Sequence, residues 1–141
     1  MYQKIIIVGN LGRDPEMRYT PDGTPVTTFS VATNRRWNNP DGSQEEETTW
    51  FRVTAWKRQA ETCNQYLKKG RLALIEGQLK PDPATGGPRI WTGNDGTTRA
   101  QYEVTAGTVR FMGGRGEAPA AEAPGGALEE PPAETEEEIP F

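Results

Sequence analysis

An all-β domain of five short strands, with one helix between the third and the fourth and an acidic tail behind, is the architecture this sequence predicts. Three observations carry it. Apolar and β-branched residues cluster in five runs bounded by glycine, proline and aspartate. A single segment changes to helical spacing, and the last stretch of the chain has no period at all.

The runs fall in order. KIIIVG (4–9) is a continuous β-branched run ended by glycine and reads as a first strand buried on both faces. NLGRDPEMRYTPDGTPV follows as a loop or hairpin connection, with Asp14-Pro15 and Pro21-Asp22-Gly23 marking turns. VTTFSVATNRRW (26–37) is the second strand and TTWFRVTAW (48–56) the third, joined by NNPDGSQEEE, in which Asp41-Gly42 is a hairpin signal. Ala60, Cys63 and Leu67 then recur at i, i+3 and i+7, and Gly70 after Lys68-Lys69 is a helix stop. RLALIEGQLK (71–80) is the fourth strand, residues 81–96 a long Pro/Gly-rich loop, and RAQYEVTAGTVRFM (99–112) the fifth strand. This order fits a small Greek-key barrel of the OB-fold kind better than a βαβ sheet, which needs several crossover helices. There is no internal repeat.

Charge divides the chain. Residues 1–112 hold fifteen Lys and Arg against twelve Asp and Glu, or +3, whereas residues 113–141 hold one against eight, or −7. The tail, GGRGEAPAAEAPGGALEEPPAETEEEIPF, is composed of small residues, prolines and glutamates and reads as disordered. The expected organisation is a folded domain over 1–112, a Gly/Pro/Ala linker over 113–133 and an acidic tip over 134–141. A body so mildly basic must hold any polyanion partly by means other than charge.

Several classes are disfavoured. There is no histidine, and the single Cys63 excludes an intramolecular disulfide and a Cys-rich metal site. On the helical face of Ala60 and Leu67 it reads as a buried structural thiol rather than a nucleophile. GNLG (9–12) lacks the Gly-Lys-Ser/Thr ending of a phosphate loop, so Gly9 and Gly12 read as bulge or turn positions. The glutamates at 45–47 sit in an expected loop and read as a solvated charge run. No cofactor, metal site or catalytic constellation is expected, and the apolar run Ile5–Val8 is too short for a membrane span or signal peptide, which implies a cytoplasmic protein.

The third strand carries the strongest local signal. Side chains alternate along it, so Trp50, Arg52, Thr54 and Trp56 share one face and Phe51, Val53 and Ala55 the other. Only the second set suits a core. A tryptophan in a small β domain is ordinarily interior, yet the parity with Arg52 puts Trp50 and Trp56, roughly 20 Å apart at about 3.3 Å per residue, on an outer face. Trp37 follows Arg35 and Arg36 and is expected across the hairpin from this strand; Trp91 lies in the long loop beside Arg89. Aromatic platforms interleaved with cations suit sequence-tolerant binding of single nucleic-acid strands, since every base has a π face. Duplex recognition calls for a recognition helix or a larger basic patch.

VGNLGRDPEMRYTPDGTPV, WFRVTAW, YLKKG, IEGQL and the closing EEEIPF, in that order, closely resemble the bacterial single-stranded DNA-binding protein family, over residues 2–112 and again at the tip. The resemblance implies an OB fold, usually a homotetramer, that coats single-stranded DNA in replication, recombination and repair, without enzymatic activity. It implies stacking roles for Trp37, Trp50, Trp56 and Trp91, the last after a spacer, KPDPATGGPRI, longer than the family's. It places Lys4, Arg18, Arg52, Lys69 and Lys80 near the DNA path, with Arg35 beside Trp37. It also implies that Glu136, Glu137, Glu138, Ile139, Pro140 and Phe141 dock on genome-maintenance proteins. The competing expectation is an OB-fold interaction module, such as a primosome accessory, or a module that prefers RNA.

Overall fold

The computed structural model describes residues 1–112; the linker at 113–133 and the acidic tip at 134–141 lie outside them. The elements are β1 (Ile5–Leu11), β2 (Glu16–Tyr19), β3 (Pro25–Asn38), β4 (Gln44–Trp56), α1 (Arg58–Tyr66), β5 (Leu72–Leu79), β6 (Arg89–Thr92) and β7 (Thr98–Met112). Five of the strands close on themselves in the order β1-β5-β7-β4-β3, with β3 returning to β1 through Asn10↔Ala32 and Leu11↔Val31. The expected OB-type barrel is present. Every pairing is antiparallel except one: β4 and β7 run parallel from Phe51↔Tyr102 to Thr54↔Thr105.

The alternation within β4 decides what fills the barrel. Val53 and Ala55 point inward and are fully buried with Val31, Ile75 and Val104, while Ile7, Leu11 and Phe29 complete the interior. One end is closed by α1. Its Ala60 and Cys63, followed by Leu67, pack into the same core, and Thr27 Oγ1 donates to the Ala60 carbonyl at 2.6 Å. Burial pushes the Cys63 thiol up to about 12, in keeping with a structural role.

Three hairpin turns are built alike. Asp22-Gly23, Asp41-Gly42 and Asp95-Gly96 each place glycine at φ of 80 to 90°, and in each the aspartate accepts from groups of the hydroxyl residue beyond the glycine, Thr24, Ser43 or Thr97. Glycine takes that left-handed conformation without steric cost. Hydrogen bonds hold all three carboxyl groups below the usual aspartate range, chiefly that from the Thr20 hydroxyl for Asp22, with Thr24 second, and those from Ser43 and Thr97 for Asp41 and Asp95. Their contribution is present above the ordinary aspartate pKa and is lost as pH falls through the lowered folded values.

The structure differs from the sequence reading at several points. β1 is buried on one face only: Ile6 and Val8 are exposed, because a barrel strand has a single face toward the interior. Glu45–Glu47 lie in β4, paired with Arg35–Trp37 of β3, and not in a loop. The stretch 81–96 contains β6, which forms a hairpin with β7 from Arg89↔Gln101 to Thr92↔Thr98. Gly9 is neither bulge nor turn; a Cβ there would stand 2.2 Å from the Ala32 carbonyl oxygen, so it marks a close approach of two backbones.

Two outcomes follow. Ile75→Ala, at a fully buried site paired with Ile7, is expected to lower unfolding free energy by about 2–5 kcal/mol in a denaturant titration. Cys63 in the native protein is expected to resist a thiol reagent at neutral pH and to react at once in denaturant; equal rates in both would show that the helix does not cover it.

Candidate nucleic-acid interface

Because β4 and β7 are parallel, the residues ahead of Phe51 and ahead of Tyr102 leave the barrel at the same end. Two arms therefore project together, the β3–β4 hairpin and the β6–β7 hairpin, away from the end that α1 closes. Register then says which side chains share a surface, since directly paired residues stand on one face of a sheet.

Trp50, Arg52, Thr54 and Trp56 form the outer row of β4. Through Trp56↔Val26 and Val26↔Arg18 the row extends to β2. Through Arg52↔Glu103 it extends to β7, and through Gln101↔Arg89 and Arg99↔Trp91 to β6. This side of the sheet thus carries Arg18, Trp56, Arg52, Trp50, Arg89 and Trp91, with Val26 fully buried between Trp56 and Arg18 and Glu103 between Arg52 and Arg89. Trp37, Trp50, Trp56 and Trp91 are 39%, 52%, 41% and 37% exposed, so none is core.

Trp50 is held from beneath. The residue paired with it is the small Ala32, and beyond Ala32 the indole reaches Gly12, where an added Cβ would lie 2.6 and 2.7 Å from ring atoms. Gly12 is itself fixed by its N–H donating to the Ser30 carbonyl at 3.1 Å. The Cζ3–Cη2 edge of the indole meets this seat, and half of the residue stays exposed. Gly12 thus leaves room for a ring.

The remaining expected site residues are distributed. Trp37 pairs with Glu45 and so belongs to the alternate set on its arm, with Phe51 rather than with Trp50. Arg35 lies over it, Cζ 4.7 Å from the ring centroid, and its Nε is 3.3 Å from Glu47 Oε1. Arg36 pairs likewise with Glu46 at 3.3 Å. Lys69 lies in the turn after α1, its backbone N–H donating to Asp14 Oδ1 at 2.9 Å, close to the Gly12 seat. Lys80 directly follows β5 beside Glu103, whose carbonyl accepts its N–H at 2.7 Å. Lys4 stands apart from the tryptophans, on the β1–β5 wall, where a hydrogen bond and an ion pair to Glu76 at 3.2 Å raise its pKa.

Three features were not anticipated from sequence: the Gly12 seat, Glu103 beside Arg89, and Tyr102, exposed at the fork where the arms diverge with its ring 5.9 Å from Phe51. A readable signal existed only for the stacking of Arg35 over Trp37 and of Arg89 over Trp91. Arg-x-Trp occurs twice, at 35–37 and 89–91, and a period of two puts both residues on one strand face. Among the described residues no cluster of three His, Cys, Asp or Glu could hold a metal ion.

A closed five-stranded barrel with one capping helix, carrying solvent-facing indoles and cations on adjoining strands, defines an OB-fold domain with a nucleic-acid-type surface. The chain matches the Single-strand binding protein family over residues 2–112 and belongs to that family. Among curated relatives, the single-stranded DNA-binding protein of Neisseria meningitidis serogroup A is 42% identical over 114 residues, which are 81% of this chain and 62% of the relative. That of Thermotoga maritima is 46% identical over 113 residues, 79% of this chain and 74% of the relative. The match thus spans somewhat under two thirds of the Neisseria protein's length. Among solved structures, a Plasmodium falciparum SSB in complex with ssDNA superimposes with a TM-score of 0.63 at 25% identity, covering 79% of this chain and 95% of the other. A small single-stranded DNA-binding protein from Streptomyces coelicolor has the same fold, with a TM-score of 0.63 at 23% identity and coverage of 77% and 93%.

Gly12→Ala is expected to leave the melting temperature within a few degrees while shifting the tryptophan emission, as the Trp50 ring is pushed off its seat. An unchanged spectrum would place the ring elsewhere in solution.

Proposed function

We propose that this protein binds single-stranded DNA without strong sequence preference, by stacking bases on Trp50, Trp56 and Trp91 and contacting phosphates through Arg18, Arg52, Lys69 and Lys80. The observation that carries the reading is the row from Arg18 through Trp56, Arg52 and Trp50 to Trp91, in which cations alternate with half-exposed indoles. Stacking accepts any base, and the cations follow the backbone. Trp37 serves from the tip of its arm, on the alternate face. Lys4, on the β1–β5 wall, pairs with Glu76 and contacts phosphate by exchanging that exposed partner. The protein is non-catalytic, coats exposed strands in replication, recombination and repair, and works in the cytoplasm at the nucleoid. Among the described residues no helix is long and apolar enough to cross a membrane.

The assembly proposed is a homotetramer. Its support is β1: the edge of Ile5–Gly9 away from β5 faces no strand among the described residues, and Ile6 and Val8 are exposed beside it. An open apolar edge invites pairing with a second copy. The tip at 134–141 is proposed to dock on genome-maintenance proteins, with Ile139 and Phe141 as apolar anchors and Glu136–Glu138 steering the encounter. The −7 tail competes with DNA for the outer face.

Titration with oligo-dT is expected to quench tryptophan fluorescence saturably, whereas a duplex of equal length does not. Trp50→Ala is expected to weaken dT binding about 5- to 150-fold, corresponding to roughly 1–3 kcal/mol for one stacked base. Tight binding of oligo-rU with weak binding of oligo-dT would favour the RNA-binding reading instead. A chain ending at Met112 is expected to bind dT more tightly than the full chain at low salt, the difference closing at high salt. Sedimentation of the full chain at the mass of one protomer would refute the tetramer.

A further inference from the structure

Glu103 is out of place on a surface read as a site for a polyanion. It stands on the outer face of β7, in register with Arg52, yet its side chain is only 13% exposed. Its Oε2 has no solvent contact and no hydrogen-bond partner. Among the described residues the one cation within 4 Å is Arg89, whose Nη1 lies 3.6 Å from that oxygen. The cleft over it, about 280 Å³, is lined by Lys80, Pro81, Asp82, Pro83, Arg89 and Glu103, so the Pro-rich segment before β6 is what shields the carboxylate.

A carboxylate taken out of water must keep its counter-ion, because an uncompensated buried charge is strongly unfavourable. The Arg89 side chain is itself 61% exposed, but leaving for a phosphate would strip the shielded Glu103 carboxylate of its counter-ion. It stays over β6, where its Cζ is 5.8 Å from the Trp91 ring centroid. The other arm has the same grouping in a different state. There Arg35 lies over Trp37 and pairs with Glu47, but the side chains of both ions are more than half exposed, at 73% and 57%, and such a pair exchanges freely with water or phosphate. The two arms thus carry one device, a carboxylate holding a guanidinium against an indole, fixed on the β6–β7 arm and exchangeable on the β3–β4 arm.

We propose that Glu103 is a positioning residue for single-strand binding: it pins Arg89 against Trp91 and so presents that indole, on the arm that follows the long spacer, as a rigid platform for a base. This rests on the reading of the outer face as a single-strand surface. A carboxylate that merely lay near DNA would repel it, and its neutralisation would tighten binding. The pinning role has the opposite sign.

The test is a double-mutant cycle on the full-length protein with oligo-dT as ligand, read by fluorescence and by a label on the DNA. E103Q is expected to weaken binding about two- to fivefold, the scale of one cation–π contact. In a Trp91→Ala background the same substitution is expected to change nothing, since the platform it serves is gone. Arg89→Lys keeps the charge beside Glu103 but lacks the stacking plane, so it is expected to weaken binding similarly and to settle the matter if E103Q does not fold. Tighter binding by E103Q, or an equal loss with and without Trp91, would overturn the role. Trp50→Ala is measured alongside. If it weakens binding while E103Q and Arg89→Lys do not, only the role of Glu103 fails; if it too leaves binding unchanged, the single-strand reading is refuted and this role falls with it.

Discussion

The parallel seam between β4 and β7 is the constraint on which the rest depends. Four register pairs, Phe51↔Tyr102 to Thr54↔Thr105, join strands that lie far apart in the chain, and at their centre Val53 and Val104 are both fully buried. That junction closes the barrel. Being parallel, it also aims two otherwise unrelated hairpins in one direction and brings Arg52 level with Glu103, so that Trp50 and Trp91 stand on one surface. An antiparallel junction would have sent the arms to opposite ends.

Division of labour follows from this geometry. The barrel interior is apolar and its helix-capped end supplies rigidity, with Cys63 among the buried residues as inert volume. The arms beyond the barrel have no such core, and their indoles are held by local devices instead: Gly12 and Ala32 beneath Trp50, Arg35 over Trp37, Arg89 over Trp91. Each device fixes a ring by one contact and leaves the residue between about a third and a half exposed. A flat ligand with two equivalent faces suits such half-covered platforms, which is why stacking is the natural chemistry here.

Much of this was readable from residues alone, for identifiable reasons. The alternation in TTWFRVTAW separates Phe51, Val53 and Ala55 from Trp50, Arg52 and Trp56 without reference to any other strand, and the structure keeps that division. The helix was legible in the spacing of Ala60, Cys63 and Leu67. What failed needed a partner strand. A β-branched run such as IIIV reads the same whether its second face is covered or open, so the exposure of Ile6 and Val8 was hidden. Trp37 could not be assigned a face until its pairing with Glu45 was known. β6 was missed because RIWT is four residues long amid prolines and glycines, although Asp95-Gly96 repeats the turn signal recognised at Asp41-Gly42. Glu103 and Arg89 meet only through the tertiary fold.

The arms also behave as rulers marked in single residue pairs. Each is a two-stranded ribbon closed by an Asp-Gly turn, so lengthening it by one pair would carry the tip about 3.3 Å further out while turning every side chain beyond the insertion to the opposite face. A second added pair would restore the original facing. Reach and orientation are therefore linked in steps: in this chain an arm of another length would keep Trp50 or Trp91 on the same face only if the change came in even increments or the aromatic itself moved by one position. Variation in footprint on the ligand is thereby quantised, with the barrel beneath left untouched.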